Sequence, residues 1–314
     1  VCFGHSLCVC GVRKRMKRKN FITIGTFDGV HTGHRHLFAR LETLAAGALL
    51  KPLALYFPLP PKTLLSEHPE MSVLTLPQEK KQLLKNIGLP AKPLDFENCR
   101  ETPAQDFFQQ TLLEKYQMGG LLVGPDFAFG KNRQGGVEFL RAECAKYKIP
   151  FSVADFYRAG GEKISSSLIR KVLAQGNITL ANTLLGRPYE LSGTVVKGHK
   201  LGRKLGFPTA NLDTGIYKIL PLGVFAVKVR VGRKIYDGFC NIGFRPTVNT
   251  LHTVLPLVEV NIFDFRQSIY GRKITIWFAD KLREETKFNG LEALVRQLKQ
   301  DREEARRKLQ DFLV

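Results

Sequence analysis

Two histidines in a glycine-rich stretch have the spacing and the surroundings of a phosphate-binding site. The string Gly25-Thr-Phe-Asp-Gly-Val-His31-Thr-Gly-His34 follows an apolar, strand-like run and leads into an amphipathic, helix-like one. A helix N-terminus offers unpaired N–H groups and the positive end of the helix dipole, so it binds phosphate. His31 and His34 lie one helical turn apart, and their N–H groups or imidazolium charges could stabilise a phosphate under attack. The same spacing is typical of half a metal site or of an ordinary helix surface.

A second string with phosphate-binding chemistry is Ile164-Ser-Ser-Ser-Leu-Ile-Arg170, which also opens a helix-like run. Serine hydroxyls at a helix N-terminus suit a triphosphate, and Arg170 adds a cation that can form two parallel hydrogen bonds. A simple serine N-cap followed by an exposed arginine is the alternative interpretation.

Both strings resemble segments of bacterial FAD synthetases, which belong to the nucleotidyltransferase superfamily. That family carries GxFDGxHxGH and ISSTxIR, and Ser167 stands here in place of the threonine, so the hydroxyl is kept. The resemblance implies that His31, His34 and Arg170 are catalytic. It also implies a set of ATP-binding residues, namely Gly25, Phe27, Asp28, His31, His34, Ser165, Ser166, Ser167 and Arg170. We further expect Gly29 and Gly33 to leave room for the backbone to approach a ligand.

A third string, Val123-Gly-Pro-Asp-Phe-Ala-Phe-Gly130, follows a run with the composition of a buried strand. It is similar to the segment of FAD synthetases that lies near the flavin. The resemblance implies flavin contacts from Asp126, Phe127 and Phe129, with a phenylalanine ring as an aromatic wall. A strand-end turn with phenylalanines in the core is the alternative.

The basic, glycine-rich stretch at 193–212 is the most specific string in the chain. Its glycines allow backbone N–H groups to surround phosphates, although the GxxxxGK[ST] order of a Walker A loop is absent. Thr209 and Asn211 supply neutral oxygens of the kind that Mg²⁺ accepts.

The order Gly202-Arg-Lys-Leu-Gly-Phe-Pro-Thr-Ala-Asn211 closely resembles the GRxLGFPTAN signature of riboflavin kinases. The resemblance implies that Thr209 and Asn211 bind Mg²⁺ and phosphate. The ATP and phosphate contacts that it implies are Gly198, Gly202, Arg203, Gly206, Thr209 and Asn211.

Segments 241–247 and 258–265 are also similar to riboflavin kinases. Glu259 lies in an apolar strand-like run, where a carboxylate either pairs with a cation or does chemistry. The resemblance implies that Glu259 is the general base for riboflavin phosphorylation and that Arg283 and Phe288 contact the flavin. An outward-facing Glu259 is the alternative, because Asn261, where the family usually has histidine, shares its face.

The elements that must position these residues change in type along the chain. Up to residue 185, strand-like runs alternate with helix-like ones, which predicts a parallel sheet with right-handed crossovers. After Gly186, short alternating strands predict a barrel or a sandwich, followed by a helix at 290–312. The family resemblance implies a Rossmann-like nucleotidyltransferase domain and an antiparallel β-barrel kinase domain ending in an α-helix. We expect a basic extension at 1–20, with translation beginning at Met16, and domains at 21–186 and 187–314.

Charge and composition narrow the class of protein. The 314 residues include 48 Lys+Arg and 28 Asp+Glu, for a net charge of +20. We expect this charge to attract the phosphates of ATP and of flavin nucleotides rather than nucleic acid, because basic and aromatic residues are not interleaved. No apolar run is long enough to span a membrane, and the six cysteines form no CxxC pair. We therefore expect free thiols in a cytoplasmic protein without membrane partners.

Together, the two ATP-type signatures predict a bifunctional enzyme that phosphorylates riboflavin to FMN and adenylylates FMN to FAD, with MgATP as co-substrate. One alternative is a nucleotidyltransferase of another specificity whose barrel only binds a ligand. That alternative predicts that Glu259 and Thr209 are dispensable. A nucleic-acid-binding protein, suggested by the net charge, is the other. The sequence makes no prediction of oligomeric state.

Overall fold

The computed structural model describes residues 18–314, except for residues 199–200 and 245–255. The predicted extension at 1–20, including Met16, therefore lies almost wholly outside the described residues, as does the end of segment 241–247. Within the described ranges, no helix combines the length and the apolar composition needed to cross a membrane.

Strands and helices alternate up to residue 185, and strands dominate after it. The strands are β1 (Asn20–Gly25), β2 (Lys51–Tyr56), β3 (Ala91–Pro93), β4 (Met118–Val123), β5 (Phe151–Val153), β6 (Arg158–Ala159), β7 (Glu162–Lys163), β8 (Tyr189–Val196), β9 (Thr209–Asp213), β10 (Gly223–Val231), β11 (Lys234–Gly243), β12 (Leu257–Ile262) and β13 (Lys273–Arg283). The helices are α1 (Thr32–Gly47), α2 (Pro61–Leu64), α3 (Pro77–Ile87), α4 (Phe96–Glu101), α5 (Ala104–Asp106), α6 (Val137–Lys146), α7 (Ser166–Ala174), α8 (Ile178–Leu185), α9 (Leu201–Lys204) and α10 (Leu291–Leu309). A π-helical segment, Phe107–Lys115, continues α5, and a 3₁₀ turn spans Lys131–Arg133.

The first sheet has the strand order β3-β2-β1-β4-β5. Strand β4 pairs in parallel with β1 and with β5. All six residues of β4 are buried, as is typical of a parallel strand covered on both faces. Gly120 of β4 faces Phe21 of β1 so closely that a Cβ would lie 2.4 Å from the ring. The predicted parallel, Rossmann-like sheet is confirmed.

Six antiparallel strands close into a barrel in the order β10-β11-β12-β9-β8-β13. Alternate residues of β8, among them Tyr189, Leu191 and Val195, are buried in its core. The buried Ala305 and Leu309 of α10 belong to a second apolar cluster with residues of β10 and β11. The predicted barrel with its closing helix is confirmed.

The alternating pattern after Gly186 predicts strands at 189–196, 223–231, 235–241, 258–263 and 273–278, and β9 is not among them. Its sequence, Thr-Ala-Asn-Leu-Asp, has little intrinsic preference for a strand. Pairing with β8 on one side and with β12 on the other forms it. Barrel closure, a long-range effect, therefore decides the local structure of the riboflavin kinase-like string.

The chain divides into two compact units. Unit 1 comprises Val1–Gly25, Ala39–Leu55 and Leu94–Asp155, and unit 2 comprises Thr26–Phe38, Tyr56–Pro93 and Phe156–Val314. Unit 2 thus contains both the histidine loop and the barrel. This division differs from the predicted domains at 21–186 and 187–314, which stay a prediction.

Local signals bound the two helices that precede the barrel. The Ser165 side chain accepts the N–H of Leu168 at 3.2 Å where α7 begins, and the Asn177 side chain accepts the N–H of Leu180 at 3.1 Å where α8 begins. Helix α8 ends at Gly186, whose φ of 67° suits glycine. Because these signals are local, both helices were predictable from the sequence.

Candidate active sites

The two histidines predicted to be catalytic stack on each other at the start of α1. The ring centroids of His31 and His34 lie 3.6 Å apart, and the ring of Phe27 meets that of His34 edge-on at 5.4 Å. The backbone N–H of His34 donates to Nδ1 of His31 at 3.3 Å. Because that nitrogen accepts, a neutral His31 carries its proton on Nε2, where it can be donated to a ligand. Nδ1 of His34 is buried and lacks a hydrogen-bond partner among the described residues.

Both rings are neutral at physiological pH. Burial lowers the pKa of His31 to about 4, and the nearby cations Arg187 and Arg170 lower it further against the opposing effect of Asp28. Burial, followed by the neighbouring His31, lowers the pKa of His34 well below its ordinary value. The sequence left imidazolium and neutral N–H donors open, and the structure favours the neutral donor.

The depressed pKa of His31 makes the stability of the fold depend on pH. Between pH 6.5 and about 4, the unfolded chain binds a proton at His31 that the folded chain does not bind. The free energy of unfolding therefore falls as pH falls, by about 3 kcal/mol over this window. We expect His31→Asn, which keeps an acceptor for the His34 N–H, to reduce this pH dependence in urea unfolding at pH 7 and pH 5. The exposed His68, changed to Gln, is the matched control, and an identical pH dependence in both variants would contradict the assignment.

The loop before α1 has a strained backbone. Phe27, Gly29 and Val30 have φ angles of 45°, 84° and 41°, and this left-handed region costs a non-glycine residue about 1–3 kcal/mol. The N–H of Gly29 donates to Oγ1 of Thr75 at 3.0 Å, and a Cβ on Gly29 would lie 2.8 Å from Cδ1 of Leu74. Gly29 is thus required by this turn and this packing, and its expected role of leaving room for a ligand stays a prediction.

Lys80 of α3 ties the strained loop to the segment that follows β2. Its Nζ donates to the carbonyl oxygens of Thr26, Phe57 and Pro58 at 2.7, 2.9 and 3.0 Å. The side chain is fully buried, and burial lowers its pKa to about 8 while Asp28 opposes the shift. The ammonium group is therefore still charged at pH 7, with all three protons donated. Sequence reasoning missed Lys80, because only the fold brings it to the loop.

Replacing Lys80 by methionine should loosen this loop. The substitution leaves three carbonyl oxygens without their shared donor, so we expect the free energy of unfolding to fall by at least about 2 kcal/mol. Urea unfolding measures the change. Lys81→Met, at the adjacent exposed position, is the control and should leave the midpoint unchanged. Equal midpoints for the two variants would show that Lys80 does not stabilise the loop.

Asp28 is fully buried and holds Arg170. Its Oδ1 accepts the backbone N–H of Thr75 at 3.0 Å and the Thr75 hydroxyl at 2.9 Å, and its Oδ2 accepts the N–H of Leu74 at 3.0 Å. Oδ2 also accepts from Nη2 of Arg170 at 2.7 Å. Nε of Arg170 is buried and has no acceptor within the described part of the chain. Asp28 therefore orients the guanidinium of Arg170, and its direct contact with ATP stays a prediction.

The three serines of the second string have different surroundings. Ser165 is the N-cap of α7, as the simpler interpretation of the string proposed. The hydroxyl of Ser166 donates to the carbonyl oxygen of Asp28 at 2.8 Å, which fastens α7 to the histidine loop. Ser167 is exposed. The structure thus brings Arg170, Asp28 and the histidine loop together, and leaves Ser167 exposed.

The predicted flavin segment of the nucleotidyltransferase lies in unit 1, after β4. Asp126 is exposed, while Phe127 and Phe129 are half-buried. The rings of Phe127 and Phe129 stack at 5.7 Å, and Phe129 also packs against Phe107 at 5.1 Å and Phe139 at 5.9 Å. Phe129 therefore belongs to an aromatic cluster, in agreement with the core alternative. Flavin contacts from Asp126 and Phe127 stay predictions.

In the barrel, three polar side chains on adjacent strands line one cavity of about 470 Å³. Glu259 on β12 pairs in register with Asn211 on β9 and with Asn241 on β11. Since directly paired residues share a sheet face, one carboxylate and two amides lie side by side at the cavity wall. Glu259 faces this cavity, so the outward-facing alternative was wrong. Asn241 was missed as a site residue, although its alternation along β11 matches that of Glu259 along β12.

Asn261 does not belong to the row of Asn211, Glu259 and Asn241; its side chain contacts the backbone just before β9. Its side chain is buried, and its Nδ2 donates to the carbonyl oxygen of Pro208 at 2.8 Å. In the register of β12 and β9, it pairs with Thr209. The side chain at 261 therefore fastens the segment that enters β9.

Thr209 lines the cavity of Glu259 and also a second one of about 280 Å³. Arg203 and Arg266 line the second cavity and make it cationic. Because Thr209 lines both cavities, a phosphate chain bound in one cavity would pass Thr209 to reach a group bound in the other.

Glycines are required where the loop approaches β9. A Cβ on Gly202 would lie 2.3 Å from the carbonyl oxygen of Phe207, and one on Gly198 would lie 2.2 Å from Nδ2 of Asn211. Gly206 has a φ of 81°. These three positions shape the loop around Thr209 and Asn211, while their own contact with phosphate stays a prediction.

The donor set in the barrel fits a magnesium ion shared with phosphate. Thr209 and Asn211 offer neutral oxygens beside the carboxylate of Glu259, and hard cations accept such oxygens. Among the described residues, no three His, Cys, Asp or Glu side chains lie close enough together to hold a metal ion.

Arg283 closes one side of the Glu259 cavity. It forms a two-pronged ion pair with Asp301 of α10, with Nε to Oδ1 at 2.9 Å and Nη2 to Oδ2 at 2.8 Å. The guanidinium lies 5.4 Å from the ring centre of Phe288, and all three residues line the cavity. The predicted pair of Arg283 and Phe288 is brought together, whereas Asp301 was missed because it resembles the other charges of a highly charged helix.

In comparisons with known proteins, two family models match two different parts of the chain. The family model for FAD synthetase matches residues 13–168, and the family model for riboflavin kinase matches residues 185–309. The chain is 34% identical to a bifunctional riboflavin kinase/FMN adenylyltransferase of Bacillus subtilis, with 93% of each chain covered. It is 37% identical to the protein of that name from Haemophilus influenzae, over 91% of this chain and 92% of the relative.

A solved structure supports the same fold along nearly the whole chain. It is described as a macrolide-efflux protein from Streptococcus pneumoniae, and it is 32% identical, with a TM-score of 0.80 over 92% of this chain and 94% of that one. The Escherichia coli (strain K12) bifunctional enzyme is 35% identical over 91% of both chains. The chain belongs to the family of bifunctional riboflavin kinases/FMN adenylyltransferases.

Proposed function

We propose that this chain makes FMN from riboflavin and ATP, and FAD from FMN and ATP. The kinase reaction is assigned to residues 187–314 and the adenylyl transfer to residues 21–186. Two observations support this proposal: the row of Asn211, Glu259 and Asn241 in one barrel cavity, and the neutral histidine pair beside the Asp28–Arg170 ion pair.

In the kinase reaction, Glu259 removes the proton from the terminal hydroxyl of the ribityl chain. The hydroxyl oxygen bonds to the γ-phosphorus of ATP, the bond to the β–γ bridging oxygen breaks, and ADP leaves. Riboflavin occupies the cavity of Glu259, Arg283 and Phe288, and the triphosphate lies on the side of Arg203. The position of Thr209 on both cavities supports this arrangement.

Thr209 and Asn211 would hold Mg²⁺ together with the phosphates of ATP. The bound ion would neutralise charge on the phosphate oxygens. Asn211 and Asn241 lie beside Glu259 in the register of the three strands.

In the adenylyl transfer, an oxygen of the FMN phosphate bonds to the α-phosphorus of ATP, and pyrophosphate leaves. The Nε2–H of His31 donates to an α-phosphate oxygen as negative charge grows on it, and Arg170, held by Asp28, adds its positive charge. His34 offers a second neutral imidazole in the stack. This reaction needs no covalent intermediate, since positioning and electrostatic stabilisation are enough.

We also place the enzyme in the cytoplasm. Cys99, Cys144 and Cys240 are free thiols, which suits a reducing compartment. ATP, riboflavin and FMN are its small-molecule partners in this proposal.

Chromatography of the flavins formed from riboflavin, ATP and Mg²⁺ tests the proposed function. We expect FMN to appear first and FAD to follow. FMN without FAD would contradict the role of the histidine site. FAD from added FMN, with no product from riboflavin, would contradict the kinase reaction and indicate that the barrel only binds a ligand.

A further inference from the structure

A short segment that follows β9 is paired with the chain that surrounds Asp28. The N–H of Met71 donates to the carbonyl oxygen of Ile216 at 2.8 Å, and the N–H of Val73 donates to that of Tyr217 at 3.0 Å. In return, the N–H of Ile219 donates to the carbonyl oxygen of Val73 at 3.1 Å. Residues 216–219 lie in the region matched by the riboflavin kinase model, whereas residues 71–73 lie in the region matched by the FAD synthetase model.

Lys218 strengthens this pairing with a buried charge. Its side chain is 1% exposed and forms an ion pair with Glu79 in the first turn of α3. Oε2 of Glu79 also accepts the N–H of Leu76 at 2.9 Å. The ammonium lies 5.1 Å from the ring centre of Tyr189, whose hydroxyl donates to the carbonyl oxygen of Ile219 at 2.7 Å. The Lys218 side chain is thus held by its ion pair with Glu79 and by the ring of Tyr189.

The contacts of Lys218 lead directly to the adenylylation site. Segment 71–73 is followed by Leu74 and Thr75, whose N–H groups donate to Asp28, the anchor of Arg170. Glu79 is followed by Lys80, the donor that holds the strained loop before His31. Asp28 is therefore held by residues next in sequence to segment 71–73, which pairs with residues 216–219. The histidine loop is held by Lys80, which is next in sequence to Glu79, the partner of Lys218.

Removing one member of a buried ion pair leaves the other charge without compensation, which is strongly destabilising. Here the uncompensated charge would be that of Glu79, within residues 71–80, which hold Asp28 and the histidine loop. The row of Asn211, Glu259 and Asn241 depends instead on pairing among β9, β11 and β12. Disturbing Lys218 should therefore act on one reaction only.

We propose that Lys218 is a positioning residue for adenylyl transfer: a side chain from the kinase region that holds Glu79 and segment 71–75 so that Asp28 and Arg170 are correctly placed. This inference rests on the proposed function, because it requires that the chain make FAD from FMN. It also implies that residues 21–186 need residues 216–219 to form a competent adenylylation site.

The test measures both reactions with the full-length chain carrying Lys218→Met. We expect kcat for FAD formation from FMN to fall by at least about 10-fold, since small displacements of positioning groups have such effects. FMN formation from riboflavin should stay within about twofold of the unmodified chain, because its site keeps its strand pairing. Lys218→Arg should restore most of the adenylylation rate, which a role in packing alone would not predict.

Lys228→Met is the matched control, because Lys228 also pairs with a carboxylate, Asp237, at 2.8 Å, but between two barrel strands. It should change neither reaction. If Lys218→Met does not fold, the variant Lys218→Met/Glu79→Gln, which leaves no unpaired buried charge, should fold and still lose adenylylation selectively.

Unchanged FAD formation in whichever of these variants folds would overturn the inference, as would parallel losses in both reactions. Absence of FAD formation by the unmodified chain would instead refute the proposed function. The two failures are therefore distinguishable.

Discussion

Glu259→Ala is expected to reduce FMN formation from riboflavin by about 10²–10⁴-fold, the usual effect of removing a general base. The Glu259 carboxylate lies in the row with Asn211 and Asn241 and lines the cavity in which we propose that riboflavin binds, so that it can accept the hydroxyl proton. FAD formation from added FMN should be unchanged, because the histidine loop is formed by other segments. Flavin chromatography with each substrate in turn measures both rates.

Glu303→Ala provides a control for this prediction, because Glu303 is an exposed carboxylate on α10. It should leave both reactions unchanged. A normal rate of FMN formation by the Glu259 variant would reject Glu259 as the base.

His31→Ala is expected to have the opposite selectivity. It removes the Nε2–H donor and the ring on which His34 stacks, so FAD formation from FMN should fall by about 10²–10³-fold. FMN formation should be retained, since Glu259 and Thr209 are untouched. Release of pyrophosphate from ATP in the presence of FMN measures the effect.

The exposed His68 is again the natural control, and His68→Ala should behave as the unmodified chain. Loss of both reactions in the His31 variant, with the fold intact, would refute the separation of the two sites.

Local patterns predicted most of the elements of this fold. Helix α8 was predictable because Asn177 caps it and Gly186 ends it, and the buried composition of β4 identified a central parallel strand. The hairpin of β6 and β7 was missed because each strand has two residues, too few for a periodic pattern. Strand β9 was missed because only the closure of the barrel forms it.

The sequence predicted the candidate catalytic residues but not the residues that support them. Short strings identified His31, Arg170 and Glu259, because these residues lie in segments that resemble FAD synthetases and riboflavin kinases. Lys80 and Lys218 reach their partners across long stretches of sequence, as Lys80 does over 54 residues to Thr26. A lysine in a helix or a loop is usually solvated, so the sequence alone offers no sign that these two are buried.

The protonation state of the histidine pair also needed the structure. Sequence spacing allowed either charged or neutral rings. Burial lowers both pKa values, the neighbouring His31 lowers that of His34 further, and the N–H of His34 donates to Nδ1 of His31. The proposed chemistry of the site therefore uses a neutral donor.

Mixing the Glu259→Ala and His31→Ala variants with riboflavin, ATP and Mg²⁺ tests most directly the claim that one chain carries two separate catalytic sites. Neither variant alone should make FAD from riboflavin, because each lacks one of the two steps. Together they should make FAD, since the His31 variant supplies FMN and the Glu259 variant adenylylates it. Accumulation of FMN without FAD in the mixture would contradict the account.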